Sequence, residues 1–166
     1  MNDQSHSSTQ FVTWILVVVG WIVVSEQQRL REIWKSDYQR LLSFRQLLKD
    51  VESKALNFHT QQFDFSDRRE LLRLVSETTL EASYLRKTLH LKNDMSSLTS
   101  KLRRSITLNN FDENSHSTQD VASPLLEAIV ESVELLDKFI YECMRDAGRV
   151  QVGLIRSFVS AAKKLW

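Results

Sequence analysis

A chain of 166 residues with only three glycines and one proline has too few turn formers for a sheet protein of this size, and points instead to a few long helices. Its 42% apolar and 26% charged content suits a chain able to bury a core, and a net charge of +1 gives no case for nucleic-acid binding. The single cysteine, Cys143, excludes an internal disulfide. With Tyr141 and Met144 beside it at helical spacing, it reads as a packed thiol.

The near-zero net charge hides an asymmetry. Residues 25–108 carry 16 Lys/Arg against 11 Asp/Glu, residues 109–148 carry 2 against 9, and residues 149–166 carry 4 basic residues and no acid. The segments are therefore complementary to one another.

After a short polar tail, 1–10, the segment 11–24 reads FVTWILVVVGWIVV. It is apolar on every side, so it is not an amphipathic surface helix. Its length falls short of the roughly 20 residues a bilayer core requires. No charge occurs between Asp3 and Glu26, however, and the 22 residues between them reach roughly 33 Å as a helix. Phe11, Trp14, Ile15, Leu16, Trp21 and Ile22 are the expected anchoring side chains, with Trp14 and Trp21 seven apart on one face and suited to the membrane interface.

Two other readings of this segment compete. A cleaved signal peptide needs a basic n-region, and residues 1–10 contain no Lys or Arg; Val23-Val24-Ser25 is also a poor cleavage site. A Val-rich run also suits a buried strand or core helix. The expectation is a transmembrane anchor. Arg29, Arg31, Lys35 and Arg40 follow it and no basic residue precedes it, which places the N-terminus outside and the body in the cytoplasm.

From Leu30 onward apolar residues step at three and four: Trp34, Leu41, Phe44, Leu48, Val51, Ala55 and Phe58, widened by Ile33, Leu42 and Leu47. A stripe this wide suits a bundle better than a two-stranded coiled coil. The pattern breaks at 59–66, where Ser66 or Asp67 is the expected helix cap and Asp67 with Glu70 has capping-box spacing. A second seam, Leu71, Val75, Thr78, Ala82, Leu85 and Leu89, continues through Met95, Leu98, Leu102 and Ile106. It predicts a helix over 67–108 with a kink or turn at 93–97, so that 25–108 forms a helical hairpin.

Residues 109–123 form a polar loop, expected to be the most mobile segment. Ser123-Pro124 then signals a helix start. Ile129, Val133, Leu136, Ile140, Cys143 and Ala147 make a third seam in the segment 124–166. The expected fold is all-α: a single N-terminal transmembrane helix followed by an antiparallel three-helix bundle with long helices. Acidic 127–146 would face the basic first two helices, while the apolar seams supply the stability.

No catalytic, cofactor-binding or metal site is expected. His6, His59, His90 and His116 lie on separate segments without ligand spacing. The Glu77/Glu81 and Glu127/Glu131 pairs lack the Glu-x-x-His partner of a carboxylate metal bundle. Three glycines cannot build a phosphate loop, and no serine sits in a nucleophile elbow. Arg68-Arg69 and Arg103-Arg104 are local basic clusters that read as solvated faces. The chain is thus expected to be no enzyme, to bind no nucleic acid and to take no small-molecule substrate.

The C-terminal stretch from residue 149 is amphipathic, with Leu154, Ile155, Phe158, Leu165 and Trp166 forming a candidate partner face. In a three-helix body standing on an N-terminal anchor this end lies far from the bilayer, about 50 Å by helix length. A protein partner or a second copy then fits better than lipid as its contact. The functional expectation is a membrane-anchored helical interaction or scaffold protein that assembles with or regulates a partner at the cytoplasmic face. The alternatives are a membrane-perturbing effector or channel-forming oligomeric subunit, and an envelope protein with a periplasmic helical body.

Overall fold

The computed structural model describes residues 4–89 and 94–164, with side chains at 13–15, 17–89 and 94–145. All regular structure among them is helical: α1 Gln4–Thr60, α2 Phe65–Thr88, α3 Asp94–Thr107 and α4 Pro124–Lys164. The expected all-α class holds among the described residues, whose four helices differ from the expected anchor and three-helix bundle in where they break. The chain divides into two compact units, Met1–Tyr38 and Gln39–Trp166.

In the first unit, the helix carries no Gly or Pro other than Gly20, so nothing interrupts its hydrogen bonding. Every described side chain from 13 to 33 is exposed except Val23. Leu30 and Ile33, expected to begin the core seam, are about half exposed. Trp34 stacks on Tyr38 with ring centroids 5.2 Å apart, the i, i+4 contact a helix surface favours.

The second unit holds the core. From α1 it takes Leu41, Phe44, Leu48, Val51, Ala55 and Phe58, all buried; from α2 Leu71, Leu74, Val75, Ala82 and Leu85; from α3 Met95, Leu102 and Ile106. From α4 it takes Leu126, Ile129, Val133, Leu136, Ile140 and Met144. The 3–4 spacing expected from sequence selects these positions, but the stripe is narrower: Leu42 is exposed and Leu47 half-buried. On α4 the buried position is Met144, while Cys143 is half-buried.

The single helix expected over 67–108 is two. α2 ends with Leu89 donating its backbone N–H to the Leu85 carbonyl, and α3 starts afresh at Asp94. Asp94 opens α3, because a short polar side chain that competes for backbone hydrogen bonds favours helix starts over helix interiors. The cap of α2 is Asp64 rather than Ser66 or Asp67: its carboxylate accepts from the Ser66 N–H at 2.9 Å, a contact worth about 1 kcal/mol. Asp67 and Glu70 instead both accept from Lys54 of α1, at 2.8 and 2.6 Å. Those two hydrogen bonds, Asp67 first, hold the Lys54 pKa above its ordinary value. At the start of α4, Ser123 caps as expected, its Oγ accepting from the Leu126 N–H at 3.4 Å with Pro124 at the first helical position.

Candidate functional site

Three regions carry more than packing: the apolar end of α1, the loop between α3 and α4, and the surfaces of the second unit.

Within 11–24, Trp14 is 69% and Trp21 71% exposed, and Ile15 and Ile22 are about half exposed. The side chains of Phe11 and Leu16, expected in the same anchor, lie outside the described residues. Among the described residues no helix is long and apolar enough to cross a membrane. The transmembrane reading of 11–24 therefore draws no support from the described helix, whose side chains omit the strongly apolar Phe11, Val12 and Leu16.

The loop is the largest departure from the sequence expectation. It is tied down rather than loose. Asn110 is buried, with its backbone in the left-handed region at φ 56, which Asn tolerates better than most residues. Its amide nitrogen donates to Nδ1 of His59 at 3.2 Å and to the Ser117 carbonyl at 2.9 Å, and its amide oxygen accepts from the Ser117 N–H. His59 is fully buried at the end of α1, and its Nε2 faces the Ile106 carbonyl at 3.2 Å. That carbonyl requires a donor and Asn110 supplies one, so the ring is neutral with the proton on Nε2. Burial is the main force holding its pKa below the ordinary value, with His116 adding to it.

His116 bridges the loop to the residue just after α1: Nδ1 lies 3.1 Å from the Asn110 carbonyl and Nε2 2.9 Å from the Gln61 carbonyl. The Gln119 N–H donates to the His59 carbonyl at 2.8 Å. Phe111 is buried and packs on Phe58 at 5.4 Å, and Phe63 meets both Phe58 and His116. Arg68 of α2 pairs with Asp112 at 2.8 Å and lies over the Phe111 ring. The histidines expected on separate, solvated segments thus include one pair, His59 and His116, with ring centroids 6.4 Å apart. The fold sites them against carbonyls and aromatic rings. Among the described residues no three His, Cys, Asp or Glu are grouped to hold a metal ion. His6 and His90 lie outside the described side chains. The signal for this cluster lay in Phe63 and Phe111, aromatic residues inside otherwise polar stretches.

The expected charge complementarity is present at two points. Arg45 of α1 grips Asp137 of α4 with Nε and Nη2, the latter at 2.8 Å, and Lys101 of α3 meets Glu131 of α4 at 2.9 Å. Glu52 has the opposite environment. Partial burial first, then Glu134 and Asp137 of α4, raise its pKa. Glu81 and Glu77 are engaged by Arg40 and Arg73, and the Arg40 guanidinium also stacks 3.7 Å over Tyr84.

Beside the loop, a groove of about 430 Å³ is lined by Leu108, Pro124, Leu125 and Ala128, with Lys101 and Arg104 at its edge. Leu108 is 74% exposed. The candidate partner face falls elsewhere: α4 continues to Lys164, but the side chains of Leu154, Ile155 and Phe158, and all of Leu165 and Trp166, lie outside the described residues.

No family model matches the chain, and neither a curated protein nor a solved structure does.

Proposed function

We propose that the chain is a non-enzymatic helical interaction protein, held to a lipid bilayer by 11–24, whose second unit recruits or assembles with a protein partner at the cytoplasmic face. One observation carries the proposal: within a 22-residue stretch without charge, every described apolar side chain from 14 to 24 except Val23 stands exposed rather than in a core. Burying a side chain of the Val or Ile class yields about 1.5–3 kcal/mol, so a run of them without cover calls for an apolar surrounding. The flanking Arg29, Arg31, Lys35 and Arg40 favour the cytoplasmic side for the body. The groove at Leu108 and Leu125, with basic Lys101 and Arg104 beside it, supports a protein partner that presents apolar and acidic side chains together.

Alkaline carbonate extraction of membranes tests the tether, and reporter fusions at the C-terminus test the orientation. The proposal expects the chain in the carbonate pellet, a reporter active in the cytoplasm, and a defined protein copurifying from detergent extracts. Recovery in the carbonate supernatant removes the tether. A reporter active only outside the cytoplasm reverses the topology and leaves the envelope reading in its place.

A further inference from the structure

Between α2 and α3 lies a cleft of about 200 Å³ whose walls are small: Ala82 and Ser83 on one side, Ser96 and Ser100 on the other. Arg86 and Arg103 flank it, one from each helix, and no carboxylate lines it among the described residues. Thr79 and Thr99 also border the cleft, but their hydroxyl protons are committed to the Val75 and Met95 carbonyls, at 2.9 and 2.7 Å. Ser83, Ser96 and Ser100 show no such bond to a described residue, the carbonyls three and four places before Ser96 lying outside the described residues. Among the described residues they make no hydrogen bond, and neither arginine makes an ion pair or ring contact. The contrast with Arg40, Arg45, Arg68 and Arg73, each paired with an acid, is clear.

The geometry points to an oxyanion site in this cleft, made for a phosphate monoester. Two guanidinium groups supply a charge of two and forked donors that match phosphate oxygens. The hydroxyls of Ser83, Ser96 and Ser100 supply neutral donors. A phosphate monoester carries close to two negative charges near neutral pH, so its charge equals that of the lining, whereas a diester carries one. The volume admits one such group with a few waters, at about 30 Å³ per water. It does not admit a nucleic-acid strand, and among the described residues no aromatic side chain lines the cleft for a base to stack on. Arg103 and Arg104 are both exposed, in keeping with the expected solvated face, and of the two only Arg103 lines this cleft, Arg104 lining the other groove. This inference does not depend on the membrane tether. The phosphate comes either from a free metabolite or from the headgroup of a lipid with a terminal phosphate, and one experiment separates the two sources.

Full-length protein in neutral detergent is titrated calorimetrically with inorganic phosphate at constant ionic strength set by chloride. Parallel titrations use dihexanoyl phosphatidic acid and dihexanoyl phosphatidylcholine. The expected result is saturable phosphate binding, weakened about tenfold by Arg86→Ala and by Arg103→Ala and unchanged by Arg104→Ala. None of the three arginines is in the core, and circular dichroism melts establish that each variant is folded. Phosphatidic acid binding tighter than free phosphate, with none to phosphatidylcholine, identifies the lipid source. Phosphate binding equal or tighter identifies the soluble one. No saturable binding to either, or an equal loss in Arg104→Ala, overturns the site.

Discussion

The side-chain amide of Asn110 donates to Nδ1 of His59 at 3.2 Å, so a loop residue completes the hydrogen bonding of a histidine buried at the end of α1. The same amide group holds Ser117 through both its nitrogen and its oxygen, closing the loop on itself. One residue in the left-handed conformation therefore joins two elements 51 positions apart in sequence.

That arrangement separates two contributions by mutation. Asn110→Gly keeps the backbone at φ 56 without strain but removes the three side-chain bonds, at about 1 kcal/mol each, for a loss of about 3 kcal/mol. Asn110→Ala loses the same bonds and adds the left-handed penalty of about 1 kcal/mol. Urea denaturation is expected to rank wild type above Gly and Gly above Ala. Alanine within 0.5 kcal/mol of wild type would show that the loop is not held in this way.

Acid should weaken the fold through His59. Burial keeps its ring neutral in the folded protein, with a pKa below the ordinary value, while the unfolded chain titrates near about 6.5. Below that pH the unfolded state takes up a proton that the folded state does not, so stability falls as pH falls. Above it the contribution is complete and constant. The urea midpoint should hold between pH 7 and 8 and decline from about pH 6.5 downward. His59→Gln, already destabilised by the lost contacts to Ile106 and Asn110, should show a shallower decline over the same window. An identical slope in both proteins would assign the acid sensitivity elsewhere.

Glu52 has the opposite sign. Partial burial, followed by Glu134 and Asp137, raises its pKa, so its ionised form is tolerated less well in the folded than in the unfolded chain. The stability it contributes is present below the unfolded carboxylate pKa and lost as pH rises through the raised folded value. Glu52→Gln should therefore stabilise the protein at pH 7 by about 0.2–1 kcal/mol, the range of a partly exposed charge interaction. The gain should shrink as the buffer is taken down through the carboxylate range. A loss of stability at pH 7 would mean that Glu52 has an unrecognised favourable partner.

The helical seams were legible because burial follows a 3–4 period: Leu41 through Phe58, Leu71 through Leu85 and Ile129 through Ile140 were readable from spacing alone. Where that period begins to be buried was not. Leu30 and Ile33 obey it yet are exposed, since periodicity reports a face and not what covers it. The cap of α2 was misplaced because Asp64, Ser66 and Asp67 all have capping chemistry. Only the chain path shows that Asp67 is already taken by Lys54. Polar composition suggests a mobile loop, whereas Asn110, Phe111 and His116 hold it against His59 and Phe58 of α1. The Arg86–Arg103 cleft could not be read from one continuous helix. It exists because α2 and α3 are separate elements facing each other.

The tether has a test that leaves the core untouched. Val18 is 52% exposed in the first unit, and its neighbours Val17 and Val19 are exposed as well. Replacing it with lysine removes no core contact and leaves the second unit, Gln39–Trp166, unchanged in composition. A lysine near the centre of a membrane span opposes insertion by about 2.5–3.5 kcal/mol, a shift of roughly a hundredfold in partition. Val18→Lys is therefore expected to move the chain from the carbonate pellet to the supernatant or to aggregates, while Val18→Leu stays in the pellet. The thermal midpoint of the helical body, followed by circular dichroism in detergent, should be the same in both. If Val18→Lys instead stays in the pellet and melts at a lower temperature, the apolar face of 11–24 is packing surface within the protein and its cover is not lipid.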